Sequence, residues 1–129
     1  MARVTELDGL RLLVVEDETL VAMMLEVMLD GFGCSVTGVA GTLAKGMALA
    51  GNETLTLDGA ILDVNLGGEQ VYPIAEVLTR RGVPFIFCTG YGLAGLAADF
   101  AHVPTLAKPY QEGDLQNLLV STLGHAKAN

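Results

Sequence analysis

Apolar residues fall along the chain in short aliphatic runs, separated by longer stretches with helical spacing. Arg11–Val15, "RLLVV", is the first run, and its aliphatic, β-branched content reads as a strand. Residues 19–32 follow with helix formers, and Gly31 and Gly33 stop them. "SVTGV" at 35–39 reads as a second strand, and Leu43–Ala50 as a helix closed by Gly51. Residues 59–64 give a third strand. Tyr72–Arg81 is a helix with Pro73 in its first turn, where proline is tolerated. "VPFIFC" at 83–88 is the fourth strand, Thr105–Ala107 a brief fifth, and 111–123 the last helix. That helix carries Leu115, Leu118, Leu119 and Leu123 on one face, and "GHAKAN" after it reads as a frayed tail. Strands alternating with helices predict an α/β fold, a parallel sheet with helices on both faces. Continuous aliphatic strands suit such a sheet, because both of their faces are covered.

Length and composition narrow the class. The chain has 129 residues and no repeat, low-complexity tract or linker. One domain over 1–129 is expected, with a core over about 10–124. Half the residues (51%) are hydrophobic and 17% are charged, which supplies a core and excludes disorder. No apolar run approaches the roughly 20 residues that cross a bilayer. The N-terminal "MARVTELDG" lacks an apolar signal core, so a cytoplasmic protein without membrane contact is expected. The net charge of −8 argues against a nucleic-acid binder, which usually shows a basic face. It suits a protein that holds a cation or docks on a basic partner, although solubility alone also accounts for it. Cys34 and Cys88 form no CxxC pair or metal-spaced set and read as free buried thiols. His102 and His125 are isolated, so no zinc site is expected.

The strand ends carry the chemistry. Ligands of open α/β sheets bind beyond the carboxyl ends of the strands. Glu16, Asp17 and Glu18 follow the first strand, and Asp63 ends the third in "AILDVNLGG". Thr89 follows the fourth, and Lys108 with Pro109 follows the fifth. Crowded carboxylates raise one another's pKa, and a hard divalent cation relieves this. Thr89 adds a hydroxyl donor and Lys108 a positive charge, a set suited to a phosphoryl group carried on Asp63. Each residue taken singly also has a structural reading. Asp63 could cap or turn, the three acids could cap the next helix, Thr89 could bond backbone, and Lys108 could be an ordinary surface lysine.

Taken together, Glu16-Asp17, "LDVNL" around Asp63, Thr89 and the "KPY" of Lys108, Pro109 and Tyr110 resemble the receiver domain of two-component response regulators. The resemblance covers nearly the whole chain. It implies a flavodoxin-like, doubly wound five-stranded sheet of order 2-1-3-4-5. It implies Asp63 as phosphoacceptor and magnesium (or manganese) held by Asp17 and Asp63 directly, by Glu16 through water and by the backbone carbonyl of Asn65. Thr89 and Lys108 would contact the phosphoryl oxygens. A histidine kinase would supply the phosphoryl group, and the signal would pass to a downstream or phosphotransfer protein without an output domain of the chain's own. The stretch "PFIFCTGYG" resembles the "FATGUY" receivers, often single-domain proteins of alphaproteobacteria served by kinases of the HWE and related classes. Cys88 stands there in place of the commoner alanine.

Two departures from ordinary receivers follow. Many receivers have a switch aromatic three residues before the lysine, and here that position is Thr105. Tyr91 either takes over part of the switching or is a partly buried tyrosine with a satisfied hydroxyl. Lys108 follows Thr89 by only 19 positions, and the stretch between them includes Gly90, Gly92, Gly95 and Pro104. That leaves about three turns at most for a fourth helix, which is expected to be short or mobile and to order on phosphorylation.

The first helix, "LVAMMLEVMLD", has an apolar arc wider than one sheet contact needs, with Glu26 and Asp30 as its wet stripe. A partner helix is expected on it, although Met24 and Met28 would serve equally as core. Other functions fit less well. A haloacid-dehalogenase-type phosphatase would need a second acid at Asn65. A nucleotide- or flavin-binding module would need a glycine-rich loop where "EDETL" stands. A pseudo-receiver acting unphosphorylated, and a phosphate sink, remain alternatives.

Overall fold

The computed structural model describes residues 5–90 and 96–124. Its elements are β1 (Arg11–Val15), α1 (Thr19–Gly31), β2 (Ser35–Ala40), α2 (Leu43–Ala50), β3 (Gly59–Asp63), β4 (Asn65–Leu66), β5 (Glu69–Gln70), α3 (Tyr72–Arg81), β6 (Phe85–Thr89), β7 (Thr105–Ala107) and α4 (Glu112–Leu123). Five strands form one parallel sheet in the order β2-β1-β3-β6-β7, which is the expected 2-1-3-4-5 order of the five sheet strands.

Alternation along β1 sets up both cores. Leu12 and Val14 pack with Leu25, Leu29 and Leu115 of α1 and α4. Leu13 and Val15 pack on the other face with Ala50, Ile74 and Leu78 of α2 and α3. β3 and β6 are buried at every position, as strands covered on both faces should be. The sheet therefore has two packed layers, with Glu16, Asp63, Thr89 and Lys108 at its carboxyl edge.

Local chemistry sets the helix ends. Thr42 accepts a hydrogen bond from the Lys45 amide at the start of α2. Gln111 and Asp114 form a reciprocal capping box for α4. Gly82, at φ 72°, closes α3, and the Val83 amide bonds back to the Leu78 carbonyl. That bond ties Val83 to the helix end, so the fourth sheet strand begins at Phe85 and runs on through Thr89. The sequence pattern predicts 83–88 for it. Its third strand, 59–64, ends instead at Asp63 and gives way to the β4–β5 hairpin, whose turn is Gly67 and Gly68 at φ 58° and 97°.

The expected short fourth helix is reduced, among the described residues, to one 3-10 turn at Ala98–Phe100. Tyr91 and most of the C-terminal tail lie outside the described residues. Along α1, Leu20 is 75% exposed, Val27 73%, Met24 61% and Met23 54%. Its apolar surface is thus wider than its core contact, and Met24 is not core. No described helix is long and apolar enough to cross a membrane.

Candidate functional site

Four strand ends bring the site together. Glu16 leaves β1 with its amide bonded to the Ala40 carbonyl, 2.9 Å away. Asp63 is the last residue of β3, and the next amide, Val64, bonds to the Cys88 carbonyl of β6 at 3.0 Å. The Lys108 amide bonds to the Thr89 carbonyl at 2.9 Å, which carries the β6–β7 ladder one residue further. The Lys108–Pro109 peptide is cis. Backbone pairing alone therefore delivers an acid, an acid, a hydroxyl and a lysine to one edge.

The side chains converge on a cleft of about 420 Å³, lined by Asp17, Asp63, Asn65, Thr89 and Lys108 and floored in part by Gly67 and Gly68 of the hairpin. Lys108 Nζ lies 3.0 Å from Glu16 Oε1 and 3.0 Å from Asp63 Oδ2. Each remaining carboxylate oxygen of this pair accepts a backbone amide. Glu18 N donates to Glu16 Oε2 at 3.1 Å, and Asn65 N donates to Asp63 Oδ1 at 3.2 Å. Glu16, Asp63 and Thr89 are buried, while Asp17 is exposed. One carboxylate oxygen from each of Glu16, Asp17 and Asp63 lies within 4.8 Å of the others. Three hard oxygen donors at that spacing fit a magnesium-sized cation that keeps several waters.

Burial is the main cause that pushes the Glu16 carboxyl up to about 7, and neighbouring Asp63 adds to it. The Glu18 amide and Lys108 pull the other way and do not cancel it. Burial alone would lower the Lys108 ammonium, but its hydrogen bonds to Asp63 and Glu16 hold it above the usual lysine range. Both directions have one origin, two acids gathered under cover against a single cation.

The structure decides several of the open readings. Lys108 is not a free surface lysine, because it is ion-paired to two acids. Glu18 is the N-cap of α1 but makes no side-chain cap bond; Glu16 accepts its amide instead. Thr105 is half-buried, and its hydroxyl donates to the Val103 carbonyl at 2.9 Å, in the segment just before its own strand. Sequence reasoning passed over Gly67, whose added Cβ would stand 3.8 Å from Asp17 Oδ2, so the hairpin brings bare backbone up to the acids. The signal for it was present. A Gly-Gly pair between Leu66 and Glu69 is a two-residue hairpin turn, with the positive φ at both positions that such turns demand.

No protein-family model matches the chain. Individual proteins do. It is 32% identical over 115 residues to the phyllosphere-induced regulator PhyR of Methylorubrum extorquens, a match over 87% of this chain and 43% of that protein. The chain thus spans less than half the length of that curated relative. The solution structure of SdrG from Sphingomonas melonis is 40% identical with a TM-score of 0.75, covering 88% of this chain and 95% of SdrG. The receiver domain of Erythrobacter litoralis PhyR is 26% identical with a TM-score of 0.77, over 88% and 89% of the two chains. The receiver domain of the Pseudomonas aeruginosa sensor kinase PA1611 is 26% identical with a TM-score of 0.77, over 90% and 98%, and holds a magnesium ion in its active-site cleft.

Proposed function

This chain belongs to the receiver domains of two-component response regulators, and on that premise we propose that Asp63 accepts a phosphoryl group from the phosphohistidine of a sensor kinase. The observation that carries this reading is Lys108 Nζ held 3.0 Å from both Glu16 and Asp63, in a cleft shared with Asp17 and Thr89. A carboxylate oxygen of Asp63 attacks phosphorus, the new P–O bond forms as the donor's P–N bond breaks, and the imidazole keeps the electron pair. Thr89 and Lys108 meet the phosphoryl oxygens. Glu16, Asp17, Asp63 and the backbone carbonyl of Asn65 are the groups that would hold magnesium or manganese. Bound there, the cation would neutralise charge on the group in transfer.

The kinase docks on α1. Leu20, Met23, Met24 and Val27 form its exposed apolar strip. Beside it runs an apolar groove of about 350 Å³ lined by Val21, Met24, Met28, Lys108, Pro109 and Tyr110. Such a surface suits an amphipathic helix laid along it. The signal then passes on through protein contacts, as a switch, a relay or a sink.

Incubation with magnesium and acetyl phosphate, followed by intact-mass measurement, tests the reading. The native protein is expected to gain one phosphoryl group, and Asp63→Asn none. Equal gain in both proteins, or no gain in either with magnesium bound, would refute it.

A further inference from the structure

Tyr72 joins three parts of the molecule that the phosphoacceptor reading leaves unconnected. It is the first residue of α3 and is 9% exposed. Its hydroxyl accepts a hydrogen bond from the Ala97 amide at 2.9 Å. Its ring lies flat on Phe100, with centroids 5.3 Å apart and planes 9° apart, and edge-on to Phe87 at 5.9 Å and 83°. Ala97 and Phe100 bracket the 3-10 turn, and the Phe100 amide bonds to the Ala97 carbonyl. A single turn has little stability of its own. Its place is fixed by the tyrosine, through one hydrogen bond and one ring stack, together with the rings of Phe87 and Phe85, whose centroids lie 6.0 Å and 6.5 Å from that of Phe100.

Tyr72 in turn is tied to both halves of the site. The Val71 amide bonds to the Val64 carbonyl at 3.0 Å and closes the hairpin beside Asp63. Inside that hairpin Asn65 N donates to Asp63 Oδ1, while Lys108 Nζ holds Oδ2. A phosphoryl group on either oxygen crowds the donor bonded there. On the other strand, Phe87 stands two residues before Thr89 and so points to the same face of β6. Asn65 is thus joined to Tyr72 through the Val64–Val71 backbone bond, and Thr89 shares its strand face with Phe87, whose ring meets that of Tyr72. Thr105 is the register partner of Phe87 on β7, and its small side chain leaves this face of the sheet to the Tyr72–Phe100 stack.

We infer that Tyr72 is a positioning residue that transmits the state of Asp63 to residues 96–100, an inference that rests on the phosphoacceptor reading. It makes the surface around the 3-10 turn the one that changes when Asp63 is loaded, on the face of the sheet opposite α1. Both strand ends bias one discrete contact, the bond the Ala97 amide donates to the Tyr72 hydroxyl, as a coupled element requires.

The test pairs two readouts on the full chain labelled with 15N. Intact mass after magnesium and acetyl phosphate reports loading of Asp63. Amide chemical shifts of Ala97, Ala98, Asp99 and Phe100, before and after loading, report the turn. In the native protein both readouts are expected to change. Tyr72→Phe keeps the ring and loses the hydroxyl. It is expected to load within about twofold of the native rate, while its loading-dependent shifts at Ala97 and Phe100 fall by about fivefold or more. Phe100→Leu keeps the hydroxyl bond and removes the stack, and is expected to fall between the two. It also serves as the variant of record should Tyr72→Phe not fold. Loading with native-sized shifts in both variants overturns the role of Tyr72 and leaves Asp63 as phosphoacceptor. No mass gain in the native protein overturns both.

Discussion

Glu16 offers a quantitative test of the site, because it is a carboxyl kept under cover beside another acid. Its side chain is 2% exposed, and burial pushes its pKa from the ordinary 4.5 up to about 7. Between those two values the native state binds more protons than the unfolded chain, so stability falls as pH rises. The contribution is complete below about pH 4.5 and lost above about 7. That span corresponds to roughly 3 kcal/mol, of which about 2.5 kcal/mol falls between pH 5 and pH 8. Glu16→Gln removes the titration. The amide keeps one oxygen for Lys108 or for the Glu18 amide but cannot serve both, a pH-independent cost of about 1 kcal/mol. Urea unfolding in EDTA at several pH values then gives a clear expectation. The variant starts less stable than the native protein near pH 5 and finishes more stable by pH 8. Magnesium should stabilise the native protein more at pH 8 than at pH 6, since its ligands must be deprotonated. A native-minus-variant difference that stays flat from pH 5 to pH 8 in EDTA would show that Glu16 titrates as an ordinary carboxyl, and the electrostatic account of the site would fail.

Two further expectations separate scaffold from function. At Gly59, the start of β3, an added Cβ would stand 2.6 Å and 2.9 Å from the two Leu123 methyls and 3.2 Å from Leu12, both side chains fully buried. Gly59→Ala should therefore lower stability by about 1–3 kcal/mol in chemical denaturation, with phosphoryl gain from acetyl phosphate intact. Leu20→Lys with Val27→Lys charges the exposed strip of α1. Transfer from the partner kinase should fall about tenfold or more, while acetyl phosphate labelling stays native.

Which parts were legible in the sequence follows from how far each signal reaches. Asp63 and Thr89 could be read because they fall, with Glu16, Asp17 and Lys108, at the same ends of neighbouring strands, a coincidence that no single capping or turn role accounts for. The pairing of Lys108 with Glu16 and Asp63 spans 92 and 45 positions, beyond any local pattern, and only the alternation of strands and helices made it expected. The end of the third strand fell one residue earlier than expected because Val64 is as strand-like as Ile61, and its amide still bonds to β6 although the strand ends at Asp63. The fourth strand began late because the Val83 amide is already used by the end of α3, and Pro84 has no amide to give. Met24 read equally well as core or as surface, since helical spacing fixes a face and not what covers it. Tyr72 gave no sign at all. A tyrosine opening a helix looks like packing until Ala97 and Phe100 are seen against it.

Lys108 lines two places at once, the acidic cleft and the apolar groove beside α1. A change in the groove that improves the fit of one partner will also press on the side chain that holds Glu16 and Asp63. Under the proposed function, drift of partner choice and drift of phosphoryl lifetime would then be inherited together. A copy that evolves to listen to a new kinase would also, through one lysine, keep a different time.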